Sequence, residues 1–355
     1  MRGALIGCGF FAQNHLNAWR DMRADGIELV AVCDTDHAKA NAASEAFGIP
    51  RYYTDPAQLF AAETLDFVDI VTRMETHLDI VSLAVANGVR TIVQKPLAPD
   101  WVTCLEIVRR AKQAGVPLAV HENFRYQAPM QAVKNVLESG AIGEPTWGRF
   151  SFRFGFDIYK TQPYFHHEKR LIILDSGIHI LDLARFFLGE VRHLSCETQR
   201  RNPKNIGEDT ATMLLRHKSG AVSIAEATYE ARQIPDPILQ TLVTIEGDQG
   251  SVKLHEDFRM QVTMDGRSEE SHVGSAVLPW TAQPWHTLQE SVLTTQRRII
   301  GAWKDGHDAD TSGIDNLQTY ALVEAAYEAA EKKRAVEPEA VLPCARLTKP
   351  QRGLG

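Results

Sequence analysis

The sequence has no apolar stretch approaching the roughly 20 residues that a membrane helix requires, and no block dense in lysine and arginine. The first absence leaves no membrane span to expect. The second, with a formal net charge of -7, argues against a nucleic-acid surface, which needs clustered cations to displace counterions from phosphates. Cysteine is scarce: Cys8, Cys33, Cys104, Cys196 and Cys344 are scattered, odd in number and never in a C-x-x-C pair. Neither a disulfide framework nor a zinc site follows from them, and a reducing cytoplasm fits best. The opening run Met1-Arg2-Gly3-Ala4-Leu5-Ile6-Gly7 is too short for the apolar core of a signal peptide and breaks at glycine. No internal repeat or low-complexity segment is present. The expected partners are small molecules, with no nucleic acid and no membrane among them.

The 355 residues, 44% hydrophobic and 23% charged, have the composition of an ordinary folded chain, long enough for two domains. Through residue 122, short β-branched runs alternate with helical periods, the pattern of repeated βαβ units. Ala4–Ile6, Leu29–Cys33, Phe67–Val71, Thr91–Val93 and Leu118–His121 are near-continuously apolar and read as strands buried on both faces. Thr76–Asn87 and Trp101–Ala114 read as helices ending at Gly88 and Gly115. From residue 123 the text changes to successive strands: Thr146–Phe156, Val191–Thr198, Thr210–Leu215, Val222–Glu230, Thr241–Glu246 and Ser251–His255. The turns Ser219-Gly220, Gly247-Asp248-Gln249-Gly250 and Asp265-Gly266 suit antiparallel connections. Helices are expected over Asp175–Leu188 and from Ile314 to about Lys332. The fold class is α/β: a Rossmann doubly wound parallel sheet over 1–122, then an α+β domain over 123–355 with an open, mainly antiparallel sheet.

Gly7-Cys8-Gly9-Phe10-Phe11-Ala12 matches G-x-G-x-x-A, following the first strand and opening the first helix. Gly7 permits the tight turn, Gly9 lets the backbone approach a pyrophosphate, and Ala12 allows close helix-strand packing. Asp34 ends the second strand, where a carboxylate can accept hydrogen bonds from adenosine ribose hydroxyls. It repels a 2′-phosphate, and Thr35, Asp36 and His37 supply no arginine to receive one, so the expected cofactor is NAD. Thr72 and His77 fall at the carboxyl edge where open α/β sheets bind ligands, whereas His15 suits a plain helix-surface role at least as well.

Gln94-Lys95-Pro96 follows a strand of the same sheet, so Lys95 can exchange a proton with a substrate hydroxyl there. Asp175 and His179 stand four residues apart, on one face if a helix runs through both. A histidine with a pKa near 6.5 can take the proton that leaves oxygen during alcohol oxidation. The plain alternatives are a surface lysine, an Asp175 N-cap and a core histidine amid Ile178, Ile180 and Leu181.

Taken in order, Gly7–Ala12, Lys95-Pro96 and the D-x-x-x-H of Asp175–His179 resemble the glucose-fructose oxidoreductase, inositol dehydrogenase and rhizopine catabolism (Gfo/Idh/MocA) family over essentially the whole chain. Asn123-Phe124-Arg125-Tyr126 and a closing helix over Asp315–Ala330 look like that family's junction and returning C-terminal helix. The resemblance implies an NAD-dependent sugar or polyol dehydrogenase, commonly a homodimer or homotetramer. Lys95 and His179 would form its proton-handling pair, and Asp175 would orient substrate or tune His179. It places Phe10, Phe11, Gln94 and Asn123 with Gly7, Gly9, Asp34, Thr72, His77 and Lys95 at the cofactor. Arg125, Asp157, Gln162 and Tyr164 would join Lys95, Asp175 and His179 at the substrate, with no metal. Gln94-Lys95-Pro96-Leu97-Ala98 and His121–Met130 are similar to the D-apiose dehydrogenase branch, which oxidises the anomeric carbon of a branched pentose to a lactone.

The chain departs from the family at Gln94, where glutamate is usual, and at Glu168–Ile173, where the approach to the D-x-x-x-H helix is often rich in glycine. The first departure removes a charge beside Lys95, because an amide can bond but cannot ionise. Inositol or another aldose as substrate, a non-catalytic NAD-binding regulator, and an enzyme that retains its nicotinamide for internally balanced redox chemistry are the competing readings.

Overall fold

The computed structural model describes residues 1–341, so Cys344 lies outside the described residues. The first sheet is built from β1 (Arg2–Ile6), β2 (Glu28–Cys33), β3 (Arg51–Tyr53), β4 (Phe67–Ile70), β5 (Arg90–Gln94) and β6 (Leu118–His121). Its order, β3-β2-β1-β4-β5-β6, is that of a doubly wound sheet, and each neighbouring pair is parallel. All four residues of β4 and of β6 are buried, as parallel strands covered on both faces must be. The helices α1 (Ala12–Asp21), α2 (His37–Phe47), α3 (Pro56–Ala62), α4 (His77–Ala86) and α5 (Trp101–Ala114) make the crossovers.

Local chemistry explains several of the helix limits. The Asp36 carboxylate accepts from the backbone N–H groups of Ala38 and Lys39 to open α2, Asp55 accepts from Ala57 ahead of Pro56 to open α3, and Asp100 accepts from Thr103 to open α5. The last of these helices ends at Gly115, which takes φ 66°. Edge strand β3, with the sequence Arg51-Tyr52-Tyr53, is largely exposed and carries no apolar run that the sequence could have shown.

The helix α6 (Ala128–Glu138) precedes the second sheet, made of β7 (Pro145–Arg153), β8 (Val191–Gln199), β9 (Thr210–His217), β10 (Val222–Thr228), β11 (Leu242–Gly247), β12 (Gly250–Leu254), β13 (Arg259–Met264) and β14 (Arg267–His272). Their order is β14-β13-β12-β11-β7-β10-β9-β8. The pairs β8/β9, β9/β10, β7/β11 and β11/β12 are antiparallel, whereas β7/β10 is parallel. Strand β9 alternates buried and exposed residues along most of its length, the mark of a sheet covered on one face. The apolar helix α7 (Ile178–Leu188) packs on β7 and β10.

The long helices α8 (His286–Lys304) and α9 (Gly313–Lys332) follow, and a short helix, α10 (Pro338–Val341), ends the described residues. Packing divides the chain into a first unit of Met1–Asn135, Asp257–Met260 and Glu270–Gln318, and a second of Val136–Glu256, Gln261–Glu269 and the residues from Thr319 onward. In the first unit, α8 joins the core: Val292, Leu293, Ile299, Ile300 and Trp303 cluster with Leu16 and Trp19 of α1 and Leu29 and Val32 of β2. Each such apolar side chain contributes about 1.5–3 kcal/mol when fully buried.

Candidate active site

In the first unit the predicted cofactor residues stand at the carboxyl ends of β1, β2, β4, β5 and β6, on the edge where strand order reverses between β1 and β4. Gly7 follows β1 with φ +97° and donates its N–H to the Cys33 carbonyl at 2.7 Å. A Cβ there would lie 2.6 Å from the Val71 carbonyl oxygen and 2.9 Å from Thr72 Cγ2. Glycine is thus required by conformation and by space together. Around Gly9 nothing lies within 4 Å of where a Cβ would stand, which leaves the backbone open to a ligand. Phe10 is 86% exposed, Phe11 packs its ring against His15 at 5.6 Å, and α1 starts at Ala12 with no acidic residue in its first turn. Its first-turn N–H groups suit an anion.

Asp34 braces this loop. One carboxylate oxygen accepts from the Cys8 N–H at 2.7 Å and the other from the Asp36 N–H at 2.8 Å. Each oxygen keeps a second lone pair. The loop and carboxylate therefore fit a dinucleotide whose ribose hydroxyls donate. Burial, with Asp34 next, pushes the Cys8 thiol up to about 12, so Cys8 is an inert packing residue.

The remaining residues of this unit are bound into it. The Thr76 hydroxyl donates to Thr72 Oγ1 at 2.8 Å, and the ring nitrogens of buried His77 lie 3.0 Å from the Leu97 carbonyl and 3.2 Å from the Thr72 carbonyl. Burial holds the His77 imidazole below its usual range despite those carbonyls. His77 thus ties the end of β4 to the segment after Lys95. Asn123 donates to Ser291 Oγ at 2.7 Å, and the Arg125 guanidinium pairs with Asp315 at 2.7 Å while being 6% exposed. Gln94 is 9% exposed and accepts from the Lys95 N–H at 2.7 Å. His15, suited by sequence to a surface role, is fully buried and its Nδ1 lies 2.8 Å from Asp69.

In the second unit a helix does run through both motif residues. Ile173–Gly177 form a π-helical turn that continues into α7, so Asp175 sits inside the helix rather than capping it. Asp175 is half-buried and His179 is 4% exposed. The Tyr229 hydroxyl donates to Asp175 Oδ2 and lies 2.8 Å from Ser176 Oγ. Burial first, and then the Asp175 carboxylate, hold Tyr229 well above the ordinary phenol range, which keeps it a donor.

Tyr229 also lines a polar cavity of about 370 Å³ with Asp157, Tyr159, Lys160, His166, Asn202 and Glu230. His166 stacks on Tyr159 with ring centroids 4.4 Å apart, and its Nδ1 lies 2.7 Å from Asn205 Oδ1. Asn205 donates to Tyr159 and to the Asp209 carboxylate, so its oxygen is the end that faces His166. His166 Nδ1 must then carry the proton, leaving Nε2 as an acceptor. Tyr164 donates to Gln162 at 2.6 Å on the exposed turn nearby, and Asp157 pairs with Lys160 at 3.6 Å. Sequence reasoning missed Tyr159, Asn205 and Tyr229, each of which has a hydrogen-bond partner 39 to 54 residues away in the chain. Among the described residues no group of three or more His, Cys, Asp or Glu could hold a metal ion, and no helix is long and apolar enough to cross a membrane.

A glycine-loop Rossmann unit and an open-sheet unit bearing D-x-x-x-H define an NAD-binding oxidoreductase, and the chain belongs to the Gfo/Idh/MocA family. Residues 1–122 match its "Oxidoreductase family, NAD-binding Rossmann fold" and residues 130–253 its "GFO/IDH/MocA C-terminal domain". The chain is 48% identical to a D-apiose dehydrogenase of Rhizobium rhizogenes, over 96% of this chain and 99% of that one. It is 46% identical to the D-apiose dehydrogenase of Paraburkholderia graminis, over 95% and 89% respectively. Among solved structures, an Agrobacterium radiobacter oxidoreductase in complex with NAD+, L-tartaric acid and magnesium superposes with a TM-score of 0.94 at 48% identity, covering 96% of this chain and 99% of that one.

Proposed function

We propose that this chain oxidises the anomeric hydroxyl of D-apiose to the lactone with NAD. The observation that carries the reading is Tyr229, which lines a polar cavity and donates to Asp175 in the helical turn that continues into the helix bearing His179. Likeness to two D-apiose dehydrogenases along nearly the whole chain supports the choice of sugar. NAD, when bound, supplies the hydride-accepting carbon. His179 takes a proton from a sugar hydroxyl, and Lys95 donates a hydrogen bond at the carboxyl edge of the first sheet. Asp175, held by the Tyr229 hydroxyl, orients the sugar. His166 Nε2 and the Asp157 and Glu230 carboxylates accept from hydroxyls, while Lys160 donates, a set that suits a neutral polyol.

The test is NADH absorbance with D-apiose, other aldoses and myo-inositol, using the native chain and the Lys95→Ala and His179→Ala variants. D-Apiose should give the highest kcat/KM, and each variant should lose at least about 100-fold in kcat while keeping its NAD affinity. Tight NAD binding without reduction by any sugar would favour a regulator. Nicotinamide that copurifies without net NADH release would favour internally balanced chemistry.

We further propose a cytoplasmic homodimer or homotetramer. The support is the buried thiols Cys8, Cys33 and Cys196 for the compartment, and for assembly the exposed alternate face of the sheet strand β9, where Leu214 is 53% exposed. Light scattering on the purified protein reads the oligomeric state.

A further inference from the structure

Behind Lys95, three side chains of the first unit form a hydrogen-bonded row that the proposed chemistry does not yet use. The Lys95 backbone N–H can only donate, and its partner at 2.7 Å is Gln94 Oε1. That settles which end of the Gln94 amide is which, so the NH₂ group is the one 3.1 Å from His15 Nε2. An NH₂ group cannot accept, so His15 Nε2 is the acceptor of this contact and Nδ1 carries the ring's proton. Nδ1 lies 2.8 Å from Asp69 Oδ2, an acceptor that also receives Trp19 Nε1–H at 2.6 Å and Gln296 Nε2–H at 3.4 Å. Gln94 is 9% exposed, and His15 and Asp69 are both at 0%. Burial favours the neutral acid at Asp69, but His15 and Trp19 outweigh it and hold the carboxyl below its usual range.

Every donor in this row points from the Lys95 segment toward Asp69, and no member can reverse alone. Turning the Gln94 amide would set its NH₂ against the Lys95 N–H and its oxygen against the His15 lone pair, losing both bonds of a buried group. The row also accounts for glutamine at a position where the family usually carries glutamate. A carboxylate at 94 would meet the His15 lone pair unless His15 took up a second proton between that carboxylate and Asp69, with the ring of His121 tilted against it at 4.3 Å. With Gln94, the group facing His15 Nε2 is a donor, and the row closes without a further proton.

We propose that His15 and Asp69 are positioning residues for Lys95, acting through Gln94: they orient its amide, and the amide anchors the backbone from which the Lys95 side chain springs. This rests on the reading that Lys95 serves the proposed proton transfer.

The test uses the full chain with NAD and D-apiose, and compares His15→Phe, His15→Gln, Gln94→Met and Lys95→Ala. His15→Phe keeps a ring but removes the acceptor, whereas His15→Gln offers an oxygen to Gln94 and an NH₂ to Asp69. His15→Phe should lower kcat by about 30-fold with sugar KM and NAD affinity changed by less than about 3-fold, and His15→Gln should restore most of the loss. Gln94→Met leaves the His15–Asp69 pair standing and should lower kcat similarly, which preserves the test if His15→Phe does not fold. Native kcat in a folded His15→Phe or in Gln94→Met would overturn the positioning role. If Lys95→Ala is inactive in that same case, the reading of Lys95 survives; if Lys95→Ala is fully active, both fall.

Discussion

The phenol of Tyr229 donates to the carboxylate of Asp175, 54 residues earlier in the chain, and so joins strand β10's end to the helical turn before α7. The bond joins the cavity wall to the motif carboxylate.

Tyr229→Phe should therefore keep the cavity's shape while removing the donor. A hydrogen bond to a charged group contributes about 1.5–3 kcal/mol, so kcat/KM for the sugar should fall roughly 10- to 100-fold. NAD affinity, measured by fluorescence titration, should be unchanged.

Gly7→Ala forces a side chain into φ +97° and against the Val71 carbonyl at 2.6 Å. The left-handed conformation and the overpacking together should cost about 2 kcal/mol or more. Denaturant melts should show that loss, and NAD binding should weaken in parallel because the loop itself moves.

Asp34→Asn is not conservative here. Its two oxygens receive two backbone N–H groups, from Cys8 and Asp36, and an amide can satisfy one while opposing the other. NAD affinity should drop about 10-fold or more, and the ratio of NADP to NAD affinity should rise, as isothermal titration with each would show.

Acid should destabilise the fold through its buried histidines. Burial pushes His121 down to about 3, and burial also lowers His77. Both lie below the unfolded value near 6.5, so their contribution is complete above pH 6.5 and is lost as pH falls toward the folded values. Each contributes a slope of about 1.4 kcal/mol per pH unit in that window. His121→Phe should flatten the stability profile between pH 6 and about 4 by one proton's worth, as urea melts at a series of pH values would reveal.

The Rossmann half was readable because its strands are continuous apolar runs and its ligand edge is marked by glycine and aspartate. What escaped notice had the opposite character. Helix α8 buries Thr287, Ser291, Thr295 and Gln296 alongside its apolar residues, which blurs the helical period. Strand β14, Arg-Ser-Glu-Glu-Ser-His, is exposed throughout and shows no alternation. In the site, Lys95, Asp175 and His179 came from motif order. His15 did not, since its partner Asp69 is 54 residues distant. The available signal was Asp69 itself, a charge inside the apolar run Phe67-Val68-Asp69-Ile70 and one that must have a partner when buried.

The π turn at Ile173–Gly177 carries one residue more than an α turn would. Deleting a single residue there would restore regular winding and swing Asp175 about 100° around the axis relative to His179, while the apolar stripe of α7 stayed in register. If Asp175 orients the sugar as proposed, chain length at this one turn is a means of changing which hydroxyl is held, with every side chain of the motif left as it is.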